Sequence, residues 1–292
     1  MLAQQLANGI VAGSTYALFA LGFTLMFGVL RVINLTYGFY FSAGAFLALY
    51  LTAAGAPVWF ALPLASILIG FGAILLDAVL LTRLRRARAP ELASLMVTLG
   101  ATLFLYSAAT AIFGTDIRRF PPAVFAGGAF EIAGVRLTLS QFLIVATAAG
   151  SVAVLLFVMQ GTRIGLAIRA LAENSDATQL MGVNAGAVMR LVSFISGSLG
   201  ALAGVLVGLN YNAIQPYMGE AMMLKGFAVI ILGGLGDIRG ALIAGLAVGL
   251  LESLTAGYAA STWKDAVGFV LLVLTLWVRP AGLFGRASVR RA

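Results

Sequence analysis

Long apolar runs separated by short polar or glycine-rich breaks are the dominant pattern along this chain. A membrane-spanning helix needs about 20 mostly apolar residues, and no strand-like alternation of apolar and polar residues competes with these runs. The runs predict spans at about residues 5–29, 39–54, 58–81, 92–113, 138–159, 187–209, 222–232, from 241 onward, and 266–278. We therefore predict an all-α polytopic membrane protein of about 8–9 transmembrane helices, forming a single transmembrane domain over residues 1–292.

One polar stretch, residues 162–184, interrupts the apolar runs but keeps residues that favour helix. A charge at the centre of a bilayer costs about 2.5–3.5 kcal/mol, so this stretch must lie at or beyond the membrane surface. Ser175 can cap a short helix, Gly182 can end it, and Asn184 can cap the span that follows. We predict two short helices joined near Asn174–Ser175. They form either an ordinary interfacial loop or a docking element for a soluble partner.

Positive charges set the predicted orientation in the membrane, because short loops rich in Lys and Arg stay in the cytoplasm. The densest group falls within six residues and consists of Arg83, Arg85, Arg86 and Arg88. Successive loops lie on opposite sides of the membrane. Counting from the cytoplasmic arginine loop therefore predicts an external loop at 114–137, a cytoplasmic loop at 162–184, and an N-terminus outside. The C-terminal tail, also predicted to be cytoplasmic, contains Arg279, Arg286, Arg290 and Arg291.

Composition supports a membrane protein and removes several kinds of chemistry. Hydrophobic residues make up 62% of the chain and charged residues 10%, whereas soluble domains average about 25% charged residues. The net charge of +8 comes from basic residues at span ends, so we expect contacts with membrane lipid and no nucleic-acid binding. Cys and His are absent, which excludes disulfides, thiol and Ser-His catalysis, and imidazole metal sites. We expect no catalytic residue, no metal site and no cofactor.

Small residues recur at four-residue spacing on three predicted spans. This spacing places them on one face of each helix and allows a neighbouring helix to approach closely. The three sets are Gly9, Gly13 and Ala17; Gly200, Gly204 and Gly208; and Ala241, Gly245 and Gly249.

Few ionisable residues lie within the predicted spans. We expect Asp77 at the interface, Lys225 near the outer end of a short span, and Glu252 within the eighth span. An acid inside a span is a functional hypothesis by default, although Glu252 is close enough to the outer end to line a wet crevice. The motif Gly234-Leu-Gly-Asp237 matches the GxGD pattern of intramembrane aspartyl proteases. No second motif supplies the paired carboxylate that such chemistry needs.

Helix breaks, small-residue faces and a polar cytoplasmic segment favour a transporter. The chain has no GxxxxGK[ST] motif and therefore no P-loop nucleotide site. Three classes stay open from the residues alone: a permease driven by a separate ATPase, an ion-coupled secondary carrier that would use carboxylates or broken helices near the midplane, and a scaffold subunit of a membrane complex. Dependence on ATP separates the first two, and solute flux separates both from the third.

Three blocks of sequence resemble the LivH-type permeases of bacterial branched-chain amino-acid ABC importers. They are GSTYALFALGFTLMFGVLRVIN at 13–34, RALAEN at 169–174 with LMGVN at 180–184, and LGGLGDIRGA at 232–241. The blocks occur in the order typical of the family, and the resemblance extends over nearly the whole chain.

The resemblance implies a multi-pass protein of the bacterial inner membrane that forms a pore with a second, LivM-like permease subunit. It implies two cytoplasmic ABC ATPases that drive transport, and a periplasmic solute-binding protein that delivers a small-molecule substrate. It further implies that the cytoplasmic loop contacts the ATPase through residues of the middle block, 169–174 with 180–184. These are Arg169, Ala170, Ala172, Glu173, Asn174, Leu180, Met181 and Gly182.

One departure from the family pattern concerns residues 34–39. Family members commonly continue from Arg-Val-Ile-Asn with a small residue and then His-Gly-Asp, whereas this chain has Tyr37 and Phe39 in place of the His and the Asp. Either the substrate is more apolar or less charged than a free amino acid, or this segment is not in the substrate path. Polarity and the predicted side of the membrane give five candidate substrate-path residues: Asn34, Tyr37, Tyr211, Gln215 and Glu252.

Overall fold

Helices account for most of the structure, a computed structural model that describes residues 2–30, 32–87, 89–125, 128–132, 135–258, 261–279 and 282–285. The α-helices are α1 (Leu2–Leu30), α2 (Thr36–Ala53), α3 (Val58–Leu76), α4 (Thr82–Arg86), α5 (Glu91–Phe113), α6 (Leu139–Gly161), α7 (Arg163–Glu173), α8 (Ser175–Leu180), α9 (Ala185–Tyr211), α10 (Met218–Gly233), α11 (Ile238–Tyr258) and α12 (Lys264–Val278). Outside the described residues lie Arg31, Arg88, Arg286, Arg290, Arg291 and the side chain of Arg86.

Six helical segments in the described part of the chain are long and apolar enough to cross a membrane. They are Leu2–Leu30, Val58–Arg85, Leu92–Phe113, Leu139–Gly161, Ala185–Tyr211 and Ile238–Tyr258. The three other predicted spans correspond to α2, α10 and α12, which contain 18, 16 and 15 residues. The predicted all-α polytopic membrane fold is confirmed at this level.

The small-residue faces of α1 and α11 pack against each other. A Cβ atom at Gly9 would lie 2.8 Å from the Cα of Leu250, and one at Gly13 would lie 2.9 Å from the Cα of Leu246. From the other side, a Cβ at Gly249 would overlap the backbone of Gly13. Larger side chains would push the helices apart, so the predicted close approach is confirmed and its partner is identified.

The glycine face of α9 packs in the same way, but against α2. A Cβ at Gly204 would overlap the carbonyl oxygen of Phe41, and a Cβ at Gly44 would lie 2.6 Å from the backbone of Ala201. α1 and α9 are consequently mostly buried, whereas α5 and α6 expose most of their surface. The core of the bundle therefore lies along α1, α2, α9 and α11.

One end of the bundle, called here the hairpin end, contains an antiparallel pair of strands, β1 (Ala129–Ile132) and β2 (Val135–Thr138). The Gln4 side chain and the Arg136 backbone exchange two hydrogen bonds, from Gln4 Nε2 to the carbonyl oxygen at 3.0 Å and from the backbone N–H to Gln4 Oε1 at 2.9 Å. Asn212 Oδ1 accepts a hydrogen bond from the Phe120 N–H at 2.9 Å. The stretch 114–137, predicted to be non-helical, thus contains a short hairpin and one 3-10 turn, Pro122–Phe125, neither of which its Gly and Pro content revealed.

The opposite end, called here the α7–α8 end, contains the two predicted short helices. α7 ends at Glu173 and α8 begins at Ser175, which confirms the predicted junction. The cap of α8 is Asn174, whose Oδ1 accepts a hydrogen bond from the Ala177 N–H at 3.0 Å. The prediction that Ser175 caps this helix is therefore wrong, because Asn174 has the extended backbone (φ −149°, ψ 105°) that a cap requires and Ser175 is already helical.

The end of α8 and the start of α9 follow the sequence signals. Gly182 has a φ of 85°, a conformation that glycine adopts readily. The Asn184 side chain accepts a hydrogen bond from the Ala187 N–H at 3.0 Å. Both predictions, a helix end at Gly182 and a cap at Asn184, are confirmed.

A glycine loop joins α10 to α11 at the α7–α8 end. Asp237 Oδ1 accepts a hydrogen bond from the Gly240 N–H at 2.7 Å and so caps α11. Gly234 and Gly236 have φ values of 105° and 86°, which other residues rarely adopt. The GxGD motif has a local structural explanation here, a tight turn followed by a helix cap.

A π-helical turn, Asp77–Leu81, connects α3 to α4. Asp77 is 2% exposed, and its carboxylate forms an ion pair of 2.5 Å with the guanidinium of Arg85. The expectation that Asp77 lies at the membrane interface stays a prediction, and the structure adds that its side chain is buried in the protein against Arg85. A charge in such a position needs a partner, since an unpaired buried charge is strongly destabilising.

We expect Asp77→Ala to lower the free energy of unfolding by about 3–5 kcal/mol, because it leaves the Arg85 charge partly buried without its partner. Thermal denaturation of the purified protein in detergent measures this loss as a lower Tm. The double variant Asp77→Leu/Arg85→Leu removes both charges and should recover most of the loss. A double variant as unstable as Asp77→Ala would contradict the assignment of the loss to the unpaired charge.

Candidate functional site

Four polar side chains from four helices meet in a group that we call the Lys225 cluster. It consists of Tyr16 of α1, Lys225 of α10, Glu252 of α11 and Asp265 of α12. Lys225 Nζ lies 3.0 Å from Glu252 Oε1 and 2.8 Å from Asp265 Oδ1. The Tyr16 hydroxyl donates a hydrogen bond to Glu252 Oε2 at 2.8 Å and accepts one from Lys225 Nζ at 3.2 Å. The cluster links helices that are distant along the chain.

Burial distinguishes the two carboxylates of the Lys225 cluster. The Glu252 side chain is 2% exposed and that of Asp265 is 68% exposed, while Lys225 is 16% exposed. The ammonium of Lys225 also lies 5.1 Å from the centre of the Tyr16 ring, where a cation–π attraction contributes. The hydrogen bond from Lys225 lowers the pKa of Asp265, which precedes the apolar part of α12. Asp265 is therefore charged at neutral pH.

The position of Lys225 differs from the sequence-based expectation. The apolar run predicted a short span at about 222–232 with Lys225 near its outer end. In the structure α10 begins earlier, at Met218, and Lys225 lies near the middle of the helix. The helix is longer than the apolar run predicted, because the polar residues before Met222 are helical as well.

Two small cavities flank the Lys225 cluster at the hairpin end. The first has a volume of about 270 Å³ and is lined by Glu252 together with Gln5, Asn8 and Gln141. The second has a volume of about 230 Å³ and is lined by Lys225 together with Val207, Met218 and Met222. Three residues line both cavities: Tyr16, Tyr211 and Lys264. Side by side, the cavities offer charged, amide and apolar groups to a small molecule.

The structure brings three of the five candidate substrate-path residues together at these cavities. Tyr211 lines both of them, Gln215 lines the second, and Glu252 lines the first. Asn34 and Tyr37 line neither cavity. The five candidates therefore do not form one site in this conformation.

Asn34 and Tyr37 have partners within the bundle. Asn34 is 2% exposed, and its Oδ1 accepts hydrogen bonds from the Thr36 N–H at 3.0 Å and from the Thr36 hydroxyl at 2.5 Å. Tyr37 is fully buried, donates a hydrogen bond to the Phe19 carbonyl at 2.9 Å, and stacks on Phe23 with ring centres 5.2 Å apart. Asn34 therefore stabilises the start of α2, and Tyr37 holds α2 against α1.

The candidate coupling residues lie on an amphipathic segment at the α7–α8 end. α7 buries Gly165, Ile168 and Leu171, with Ala170 and Ala172 partly buried and Glu173 exposed. The guanidinium of Arg169 donates a hydrogen bond to the carbonyl of Met159 in α6. Leu180 and Met181, at the end of α8, are 89% and 83% exposed. The segment is thus held against α6 on one side and presents apolar side chains on the other.

A larger cavity of about 420 Å³ lies behind α7 at the same end. α1, α6, α7 and the glycine loop all contribute residues to its walls. Among its lining residues are Thr24, Gln160, Arg169, Ala172 and Asp237. α7 therefore borders open space at Arg169 and Ala172.

Sequence reasoning missed Tyr16, Lys225 and Asp265 as members of the Lys225 cluster. A usable signal was present, because a cation and an acid within neighbouring apolar runs are stable only when they face each other or water. That argument would have paired Lys225 with Glu252. Tyr16 and Asp265 carry no such signal, since their contacts depend on how α1 and α12 pack.

Comparison of the sequence with known families gives one match over most of the chain. The family is described as "Branched-chain amino acid transport system / permease component", and its model matches residues 5–276. Similar proteins include the high-affinity branched-chain amino acid transport system permease protein LivH of Salmonella typhimurium, which is 33% identical over 99% of this chain and 97% of its own length. The corresponding BraD protein of Pseudomonas aeruginosa is 34% identical over 99% and 97%. A probable LivH of Methanocaldococcus jannaschii is 30% identical over 96% and 91%.

Comparison with solved structures finds a similar fold in PsaBC from Streptococcus pneumoniae in complex with Fab. The TM-score is 0.51 at 12% sequence identity, over 97% of this chain and 93% of that chain. At this identity the likeness concerns the fold alone.

Proposed function

Because this chain belongs to the permease family of branched-chain amino-acid transport systems, we propose that it is a transmembrane permease subunit of an ABC importer for branched-chain or related amino acids. The observation that carries the proposal is similarity over nearly the full length to proteins named as such permeases. The subunit performs no bond-breaking chemistry of its own. ATP is hydrolysed by two cytoplasmic ABC ATPases, a second permease subunit completes the pore, and a periplasmic solute-binding protein delivers substrate.

The proposed topology has about 8–9 crossings of the bacterial inner membrane, with the N-terminus outside and the α7–α8 end in the cytoplasm. The basic residues support this orientation, because Arg83 and Arg85 follow α3 toward the same end as α7. The shorter helices α2 and α10 cross within the bundle, where neighbouring helices cover their polar groups. The shorter α12 crosses at the edge of the bundle, against α10 and α11. The hairpin end then faces the periplasm.

The proposed coupling runs through α7. Its buried face, with Ile168 and Leu171, packs inside the bundle, and Arg169 holds it to the carbonyl of Met159 in α6. An ATPase that pushes on α8 would therefore displace α7 together with the end of α6. The 420 Å³ cavity behind α7 gives this displacement room. The exposed Leu180 and Met181 supply apolar surface for the ATPase contact.

The proposed substrate path begins at the hairpin end, between Tyr211, Gln215 and Glu252. The packing of Tyr37 favours the second interpretation of the departure from the family pattern, in which residues 34–39 lie outside the path. On this interpretation the loss of the family's His and Asp says nothing about the charge of the substrate. Asn34 and Tyr37 stay in the path only if α2 moves away from α1 during transport.

The test is affinity purification of the tagged chain from its native membrane, followed by mass spectrometry and by uptake assays after reconstitution. We expect two P-loop ATPases and a second permease to copurify. We also expect leucine uptake that needs ATP and the solute-binding protein. A chain that moves leucine down an ion gradient without ATPases would instead be a secondary carrier. A complex without any solute flux would be a scaffold, and either result would overturn the proposal.

A further inference from the structure

We infer that the Lys225 cluster binds a zwitterionic α-amino acid with an apolar side chain, and that Asp265 occupies the place of the ligand's carboxylate until the ligand arrives. In the bound state the ligand carboxylate contacts Lys225 and its ammonium contacts Glu252. This inference rests on the proposed function and names the substrate class and the site for it.

The first support is that Lys225 holds two carboxylates of unequal burial. Glu252 is 2% exposed, whereas Asp265 is 68% exposed and lies 2.8 Å from Nζ. Water competes for the exposed Asp265 carboxylate, and Lys225 keeps Glu252 as a partner when Asp265 leaves. The Asp265 carboxylate can therefore leave Lys225 at low cost, and another carboxylate can take its position without disturbing the buried pair.

The second support is an open position on Glu252. Its Oε2 accepts hydrogen bonds from Tyr16 at 2.8 Å and Lys225 at 3.1 Å. Its Oε1 is buried and lies 3.0 Å from Lys225 Nζ, yet it accepts no well-directed hydrogen bond from the described residues. A buried carboxylate oxygen gains from a charged donor. A ligand ammonium would supply that donor once the Asp265 carboxylate and the start of α12 move aside and connect Oε1 to the first cavity.

The third support is the shape and lining of the two cavities. Volumes of about 270 and 230 Å³ fall below the range of about 300–1,000 Å³ typical of ligand pockets, so each cavity holds only a small molecule. The amide side chains of the first cavity suit the polar end of an amino acid. The second cavity suits an apolar side chain, with Val207, Met218 and Met222 in its lining.

Charge balance selects a zwitterion over a simple amine or acid. Lys264, which lines both cavities, follows Trp263 directly before Asp265, and these two adjacent and at least partly exposed charges balance each other in water. The buried pair of Lys225 and Glu252 is then neutral. A zwitterion adds one charge of each sign and keeps the site neutral. An amine or a carboxylate alone would leave one charge in the protein without a partner, which is strongly unfavourable.

The test uses the assembled importer in lipid nanodiscs without its solute-binding protein, with binding followed by saturation-transfer NMR of the ligand methyl groups. The probes are leucine, 4-methylpentanoate, which lacks the ammonium, and 3-methylbutylamine, which lacks the carboxylate. We expect leucine to bind and each analogue to bind at least about tenfold more weakly. Lys225→Met and Glu252→Gln should each abolish leucine binding.

The decisive variant is Asp265→Asn, which removes the competing carboxylate from an exposed position. We expect it to bind leucine about two- to fivefold more tightly, the range that an exposed ion pair accounts for. Glu220→Gln is the matched control, because Glu220 is an exposed acid in the first turn of α10 and should leave the affinity unchanged. If the cluster served only to hold the helices together, Asp265→Asn would not bind leucine more tightly.

Equal binding of the three probes, absence of leucine binding, or unchanged or weaker binding to Asp265→Asn would each overturn the inference. If Lys225→Met fails to assemble, the analogue series and Asp265→Asn still decide the question. Failure of this site is distinct from failure of the proposed function. An importer that takes up leucine with ATP, but whose Asp265→Asn variant shows no gain, keeps its function and loses only this site.

Discussion

Replacing Gly204 by alanine is expected to prevent the chain from accumulating as a folded protein. A Cβ atom at this position would overlap the carbonyl oxygen of Phe41 in α2. Overpacking a core costs about 1–3 kcal/mol and more where the obstacle cannot move, and a backbone carbonyl within a helix cannot rotate away. Folded proteins have only about 5–15 kcal/mol of stability in total, so we expect less than about a tenth of the normal amount of monodisperse protein.

The measurement is fluorescence-detected size-exclusion chromatography of tagged variants expressed at the same level. Gly150→Ala is the matched control, since Gly150 also lies within a long helix but has no atom of the described residues within 4 Å of its Cβ position. Alanine is the better helix former, so this variant should match or slightly exceed the unmodified chain. A normal monodisperse peak for Gly204→Ala would contradict the close approach of α2 and α9.

The double variant Leu180→Ser/Met181→Ser is expected to lose the ATPases and, with them, ATP-dependent uptake. The two side chains are 89% and 83% exposed, so their replacement removes few contacts within the chain. Burying a large apolar side chain is worth about 1.5–3 kcal/mol, and two of them amount to at least about a hundredfold in affinity for the ATPase. Copurification of the ATPases and leucine uptake in proteoliposomes measure the loss.

Phe130→Ser serves as the control for this loss, because Phe130 is 59% exposed but lies in β1 at the hairpin end. It should leave ATPase binding unchanged. The total amount of the double variant in the membrane should also stay normal, which separates a docking defect from a folding defect. Retention of both ATPases by the double variant would place the docking surface elsewhere on the chain.

Local features of the fold could be predicted from the sequence because each depends on a few consecutive residues. The junction of α7 and α8, the helix end at Gly182 and the cap at Asn184 all follow from short-range backbone preferences. The same preferences allowed an error of one residue at Ser175, since Asn174 is an equally good cap. The hairpin of β1 and β2 was missed because a two-stranded pair depends on contacts with Gln4 of α1 as well as on its own residues.

Only some residues of the candidate site could be predicted from the sequence. Glu252 could be selected because an acid in an apolar run needs an explanation. Tyr211 and Gln215 could be selected because they are polar residues at the end of α9 and in the loop before α10. Lys225 was assigned to a helix end because the apolar run begins later than the helix does. Its true place is near the middle of α10, where it contacts Glu252 and Asp265.

The sequence by itself determined the class of the protein, the positions of most helices, the small-residue faces and the family. These properties follow from hydrophobicity, from residue spacing along one helix, or from blocks of consecutive residues. Only the tertiary structure decided that α1 packs on α11 and α2 on α9, that Tyr37 is a core residue, and that Lys225, Glu252 and Asp265 meet. Periodicity gives the direction in which a side chain points from its own helix. Which other helix it then contacts depends on how all the helices pack together, and the sequence of one helix does not contain that information.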